Sequence, residues 1–459
     1  MADIPDPLPP QTHAQPFQTR ADLGRALREK CKRGNHAAWE APADRRDPID
    51  ILIEQGEYRL PELLPLRYAR MKASPFAFLR GSAAVMAADL AGTPSTGLLV
   101  QAAGDCHCLN FGGFATPERR LSFDINDFDE TAVAPWEWDL KRLATSFAVA
   151  TLGEFDKATR RGLAESVGGG YRSMMAEIAA ASILETWYRV QSLDDGNAAR
   201  SIGLDPASVA KADRQLKHRP MLITIEHSDG PAPKLTDKLP DLYHPPANAL
   251  PEFLAGVEAL LEAYRQSLIP ERRILIERYR FADAAYKVVG VGSVGTMCGV
   301  ALMASGDGET LQLQFKEADA SVLEAFSKPS PYANHGERVV RGQRLLQAAS
   351  DILLGFGKGP RGRDFYVRQL RDAKIKPVLD GLSSRGYRRY AWTCGEVLAR
   401  AHARSADAVV LSGYLGRSET FDQAVGQFAM DYARQTESDH AALLDAIKSG
   451  RVPVTPQDS

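Results

Sequence analysis

Residues 104–111 read GDCHCLNF, an acid, a histidine and two cysteines crowded together with an asparagine just behind. Two chemistries compete for such a stretch. It can be a metal site, or a loop that holds a catalytic acid over a phosphate. Structural zinc sites space their ligands by about two to four residues, so that each thiolate reaches the ion without strain. Cys106 and Cys108 have only His107 between them, and no second cysteine pair exists in the chain. Two small buried thiols are the better reading of the cysteines. The loop reading draws on Asp105 and Asn110, a D-x-x-x-x-N spacing that turns both side chains toward one phosphate.

The residues just after the loop strengthen that reading. RRLSFDINDFDE (119–130) alternates Leu121, Phe123 and Ile125 with polar residues, as a half-buried strand does, and ends in Asp124, Asp127 and Asp129. Mg²⁺ takes carboxylate and phosphate oxygens in octahedral array. Asn110 and Asp127, with Asp124 or Asp129 as helpers, are the candidate metal ligands. Much further along, Gly290, Gly292 and Gly295 form G-x-G-x-x-G around Ser293. A dinucleotide fold would open a helix directly after these glycines. The TMCGVALMASGDGETLQLQFK stretch after them instead alternates, turns at GDGE and ends at Lys316, which predicts an antiparallel meander with no helix starting at Thr296. The glycines then cover phosphates and Lys316 grips them. The lysine needs an acidic partner, either Glu324 or Glu337, with Glu337 favoured because it lies nearer the next helix.

The chain has 459 residues, 25% of them charged and 44% hydrophobic, with a formal net charge of -2. That is enough chain for two or three lobes and gives no basic field for nucleic acid. The five cysteines, Cys31, Cys106, Cys108, Cys298 and Cys394, do not form a secreted disulfide framework. No apolar run is long enough to cross a bilayer, and the proline-rich N-terminus lacks a signal h-region. The expectation is a cytoplasmic protein with no membrane or nucleic-acid partner.

GDCHCLNFGGF, DINDFDET and PWEWDLKRLA together resemble the phosphate-site core of aminoglycoside phosphotransferases and related small-molecule kinases, where a G-D-x-H-x-x-N loop is followed by I-D-F and D-L-A segments. The resemblance carries over to Asp105, His107, Asn110, Asp127 and Asp139, and departs from the pattern at Ala103, where a histidine is usual. Over most of its length the chain also resembles the bacterial domain-of-unknown-function family 2252, through RYARMKASPFAFLRG, LQFKEA, RVVRGQRLLQAASD, FYVRQL and LARAHARS as well as the stretches above. The resemblance implies an α+β, protein-kinase-like bilobal fold with a small antiparallel β lobe and a larger helical lobe. The glycines and lysine come after the catalytic loop instead of preceding it, so the order is circularly permuted.

The expected organisation is a disordered N-terminus (1–20), a helical catalytic lobe (21–191), a linker or excursion (192–250), an ATP-gripping β lobe (251–380) and C-terminal helices that rejoin the first lobe (381–459). The expected function is ATP- and Mg²⁺- (or Mn²⁺-) dependent phosphoryl transfer to a small hydroxylated acceptor. Asp105 positions the acceptor hydroxyl, and His107 is either a loop hydrogen-bonder or a structural histidine. Arg67, Arg70 and Arg80, which flank SPFAF, either clamp an anionic acceptor or pair at a lobe surface. Nucleotidyl (AMP) transfer on the same fold, and nucleotide binding without turnover, are the alternatives.

Overall fold

The computed structural model describes residues 13–193, 204–218, 223, 225–226, 233–288, 290, 292, 294–370 and 373–454. The fold is α+β and mostly helical, and no helix among the described residues is long and apolar enough to cross a membrane. The first helix begins at Phe17, earlier than the end of the expected disordered segment, and runs to Lys30. Two short helices follow further on, Pro75–Gly81 and Ala83–Ala91, broken at Ser82. The break lets Gly81 pack where a Cβ would sit 2.6 Å from Met71.

Among the described residues, twelve strands come in chain order. The first four surround the opening loop: β1 (Leu99–Ala102), β2 (Phe111–Ala115), β3 (Leu121–Ile125) and β4 (Ala132–Pro135). β1 pairs antiparallel with β4, and β2 with β3, so the GDCHCLN loop joins one pair to the other. The alternation in β3 predicts a half-buried strand, yet all five residues are buried. Its alternate polar side chain Asp124 faces the guanidinium of Arg400, so the second face is buried by charge pairing instead of solvated. The helix Trp136–Ala150 then starts at Pro135, and the long helix Lys157–Ala180 packs beside it. Trp136 stacks on Tyr171 with centroids 5.4 Å apart, inside the large core of the helical lobe.

The stretch read as a linker contains the helix Pro206–His218 and three short strands, β5 (Ile225–Glu226), β6 (Lys234–Leu235) and β7 (Leu242–Tyr243). β7 joins a six-stranded sheet completed by β8 (Arg280–Lys287), β9 (Cys298–Ala304), β10 (Thr310–Glu317), β11 (Gly355–Lys358) and β12 (Asp364–Gln369), in the order β11-β12-β10-β9-β8-β7. Each pairing is antiparallel. Period-2 alternation along β10 sorts its two faces. Leu313 and Phe315 enter a core with Val257, Leu260, Leu261 and Tyr264 of the helix Leu250–Ser267. Gln314 and Lys316 point the other way, into the cleft against the helical lobe. The helix His335–Leu346 lies between β10 and β11 in the chain and is capped by Asn334, whose Oδ1 accepts from Glu337 N at 3.0 Å. The chain returns to the helical lobe through Ser384–Ala403, Ala408–Leu415 and Thr420–Lys448.

Candidate active site

A cleft of about 1490 Å³ separates the sheet from the helical lobe, and Asp105, Asn110, Asp127, Asp129, Lys316 and Gly292 all line it. The GDCHCLN loop reaches this cleft because its entry is held by Asp139. The Asp139 carboxylate accepts from Ala103 N at 2.6 Å and Gly104 N at 2.9 Å, and its Oδ2 lies 3.2 Å from His402 Nε2. Gly104 has φ +90°, and a Cβ there would lie 2.1 Å from the Glu130 carbonyl oxygen. Only glycine allows that turn and that approach together.

Asp105 is gripped on one side. Arg142, one turn along the helix from Asp139, donates to Oδ1 from Nε at 2.9 Å and also from Nη2. Oδ2 lies 3.8 Å from His107 Nε2. His107 is buried, its Nδ1 accepts from Leu109 N at 3.2 Å, and burial pushes it down to about 4. It is a neutral structural element of the loop at ordinary pH. Asn110 Nδ2 donates to the Asp105 carbonyl at 2.8 Å, which leaves the amide oxygen as an acceptor.

The acidic segment lies beside this loop, with Asn126 N donating to the Asn110 carbonyl at 2.8 Å. Lys316 Nζ is ion-paired with Asp129 Oδ2, and Tyr366 OH donates to Asp129 Oδ1 at 2.7 Å. Lys316 and Tyr366 are cross-strand neighbours on β10 and β12, so the sheet register delivers both donors to one carboxylate. Burial lowers the Lys316 ammonium to about 8, against the opposing pull of Asp127. Burial pushes the Asp127 carboxyl up, but Lys316, then Arg368, His107 and Lys374, outweigh it and hold the group below its ordinary value. Arg338 fastens the segment from the helix side, with Nη1 on the Thr131 carbonyl at 2.6 Å and Nη2 on that of Asp129 at 2.8 Å.

Several expected roles fall elsewhere. Glu337 is paired with Arg341 at 3.0 Å, and Glu324 lies 3.5 Å from Arg338, so neither holds Lys316; the acid that does is Asp129. Asp124 does not line the cleft. It pairs with Arg400 and accepts from Ala348 N at 2.9 Å, which commits both oxygens away from a metal. Cys106, Cys108 and Cys394 are buried free thiols, all pushed up by burial, Cys108 to about 12. Among the described residues no three His, Cys, Asp or Glu side chains gather into a metal-holding group. Mg²⁺ typically takes one or two carboxylates and completes its shell with phosphate and water, so a donor set of Asp127 with the Asn110 amide oxygen fits that ion.

The glycine turn sits between β8 and β9 with Gly290 and Gly295 at φ +67° and +98°. Ser293 lies outside the described residues. The turn is held from the helical side: Arg59 Nη1 donates to the carbonyls of Gly292 at 2.8 Å and Val294 at 2.6 Å, Arg70 donates to that of Gly290, and Leu60 N to that of Gly295 at 2.7 Å. Sequence reasoning missed Arg142, Arg338, Arg400 and Tyr366 as builders of the site. Only Arg142 left a signal, its i,i+3 spacing from Asp139 on one helix face.

Residues 59–446 match the family described as "Uncharacterized protein conserved in bacteria (DUF2252)", and the chain belongs to that family. No curated protein and no solved structure matches it.

Proposed function

We propose that this protein is an ATP- and Mg²⁺-dependent phosphotransferase acting on a small hydroxylated acceptor, built on a circularly permuted kinase-like fold. The observation that carries the reading is the meeting of Asp105, Asn110, Asp127 and Lys316, so distant in sequence, on one cleft. The order of parts around it supports the permuted arrangement: a glycine turn between two antiparallel strands, a lysine on the next strand, a helix, then two further strands. Phosphoryl transfer asks the protein mainly for positioning and charge neutralisation, and these side chains are suited to both.

Arg142 fixes Asp105 Oδ1, so Oδ2 is the oxygen that receives the acceptor hydroxyl's hydrogen bond. The hydroxyl oxygen then attacks the γ-phosphorus as the bond to the β–γ bridging oxygen breaks; ADP leaves, and the hydroxyl proton passes to Asp105. Phosphoryl transfer asks little of a base, so the main work of Asp105 is orientation. Asp127 and the Asn110 amide oxygen would hold Mg²⁺, which would neutralise phosphate charge there. Lys316 contributes a further positive charge from the sheet side.

Nucleotidyl transfer is the second reading, and Arg368 and Lys374 are compatible with it. Both line the cleft and act on Asp127 as Lys316 does, a cationic surface that suits a triphosphate bound in either direction. Incubating the full chain with α- or γ-labelled ATP and a metabolite extract separates the readings. Label transferred from the γ position alone supports phosphotransfer, and label from the α position supports AMP transfer. Tight ATP binding with neither label moved leaves a nucleotide-binding protein without turnover.

A further inference from the structure

Arginines crowd the Asp105 side of the cleft, and their partners differ. Arg142 is on Asp105, Arg59 and Arg70 are on carbonyls of the glycine turn, and Arg67, fully buried, is on Gln55 and the Gly81 carbonyl. Each of these guanidiniums builds structure. Arg80 does not: it lines the cleft, its Nε is buried without a partner, and no side chain or carbonyl among the described residues accepts from its guanidinium. It is nonetheless held in place. Its guanidinium carbon lies 6.0 Å from the centroid of the Phe76 ring, and Phe76 meets the ring of His107 edge-on at 6.3 Å. A planar fork fixed against an aromatic ring beside a reactive carboxylate, with no anion of its own, is a receptor for a carboxylate or phosphate.

The position separates it from the nucleotide's phosphate cations. The charge of Arg80 is felt at His107 and Cys108 on the catalytic loop, whereas Lys316, Arg368 and Lys374 act on Asp127. Gly292 of the glycine turn packs at the junction of the two loops, since a Cβ there would lie 3.0 Å from the Arg80 carbonyl oxygen and 3.8 Å from Asp105 Oδ2.

We propose that Arg80 binds an anionic group, carboxylate or phosphate, on the acceptor, so that the molecule phosphorylated is a hydroxylated acid and not a neutral alcohol or sugar. This rests on the phosphotransfer reading for the word acceptor, but the anion site can be tested without turnover. The probe is inorganic phosphate, titrated into the full chain and into Arg80→Gln and Arg80→Lys variants, alongside a separate titration with ATP–Mg²⁺. Losing a charge-assisted hydrogen bond is expected to weaken phosphate binding by about tenfold or more in Arg80→Gln, with partial recovery in Arg80→Lys and ATP–Mg²⁺ affinity unchanged within about twofold. Phosphate binding that is equal in wild type and Arg80→Gln, or absent from both, overturns the proposal. So does a parallel loss of ATP–Mg²⁺ affinity, which would assign Arg80 to the nucleotide. Failure of the phosphotransfer reading looks different: wild-type protein that binds no ATP–Mg²⁺ or moves no γ label. Where label does move, glycerol phosphate should be labelled in preference to glycerol, and Arg80→Gln should erase the preference.

Discussion

The acidic loops and the glycine turn face each other across one cleft, and they are held by opposite means. Asp105, Asp124 and Asp129 are fixed by cationic side chains, Arg142, Arg400 and Lys316, two of which reach in from the same helical lobe. The glycine turn is fixed through its carbonyls by Arg59, Arg70 and Leu60, residues outside its own sheet. Buried charge pairs are costly to open, because a lone charge is stranded in low dielectric. Carbonyl contacts at a cleft rim exchange readily for water or for a ligand's donors. The acidic side is therefore expected to open less readily than the glycine turn, which carbonyl contacts alone hold to the helical lobe.

The largest effect expected from breaking the fixed wall is on rate. Asp105→Asn keeps an oxygen for Arg142 but turns an amide donor toward the acceptor hydroxyl, the wrong polarity. Transfer of γ label should fall by about 10²–10⁴-fold, while ATP–Mg²⁺ affinity stays within about twofold, as expected when an interaction made in the transition state is removed. Turnover equal to wild type would remove Asp105 from the mechanism.

How much of this contrast is legible in the chain depends on the range of each signal. Local patterns give the loop, the meander through β8, β9 and β10 and the absence of a helix at Thr296, because alternation and turn chemistry act between neighbours. The partners of charges are not legible. Proximity in sequence points Lys316 to a glutamate near the next helix, yet Asp129 arrives from the other lobe to meet Lys316 and its cross-strand neighbour Tyr366. Asp124 looks like a third metal acid because nothing near it announces Arg400. A buried pair between distant segments leaves no periodicity in either one.

Arg400→Met is the next test of the fixed wall. It strands Asp124, which is fully buried, with only backbone donors. Removing one member of such a pair is expected to cost about 3–5 kcal/mol of stability, read as a lowered unfolding midpoint in denaturant. A shift below about 1 kcal/mol would mean the wall is not set by this pair. A double variant, Asp124→Leu with Arg400→Met, should recover part of the loss, since both charges are then gone.

Lys316 joins the two walls, and its titration gives a smaller, reversible effect. Burial lowers it to about 8, below its usual 10.5, so its charge is lost as pH rises through about 8 while a fully solvated lysine would still carry it. Phosphate favours the charged form. ATP–Mg²⁺ affinity should therefore fall by about tenfold between pH 7 and pH 9, since one pH unit above the pKa removes about nine-tenths of the charge. Lys316→Arg, which stays charged, should flatten that dependence even if its absolute affinity is poorer. A profile equally steep in both proteins would assign the pH dependence to another group.

The smallest effect belongs to the turn itself. Arg59→Met removes the donor to the carbonyls of Gly292 and Val294 without touching a charge pair. The amides of Gly290, Gly292 and Gly295, followed with isotope-labelled glycine, should exchange with solvent about fivefold to tenfold faster, roughly the equivalent of one modest hydrogen bond. Gly104 and Gly112 report on the fixed wall and should not change: Gly104 N is held by Asp139, and Gly112 lies in the β2–β3 register. Saturating ATP–Mg²⁺ should then slow the turn's glycines in the variant toward the wild-type rate, because a bound phosphate chain accepts from the turn's own N–H groups and holds it from the opposite side to its carbonyls. If Gly104 accelerates together with the turn, the two walls open as one unit, and the contrast between a fixed acidic wall and a movable glycine turn is wrong.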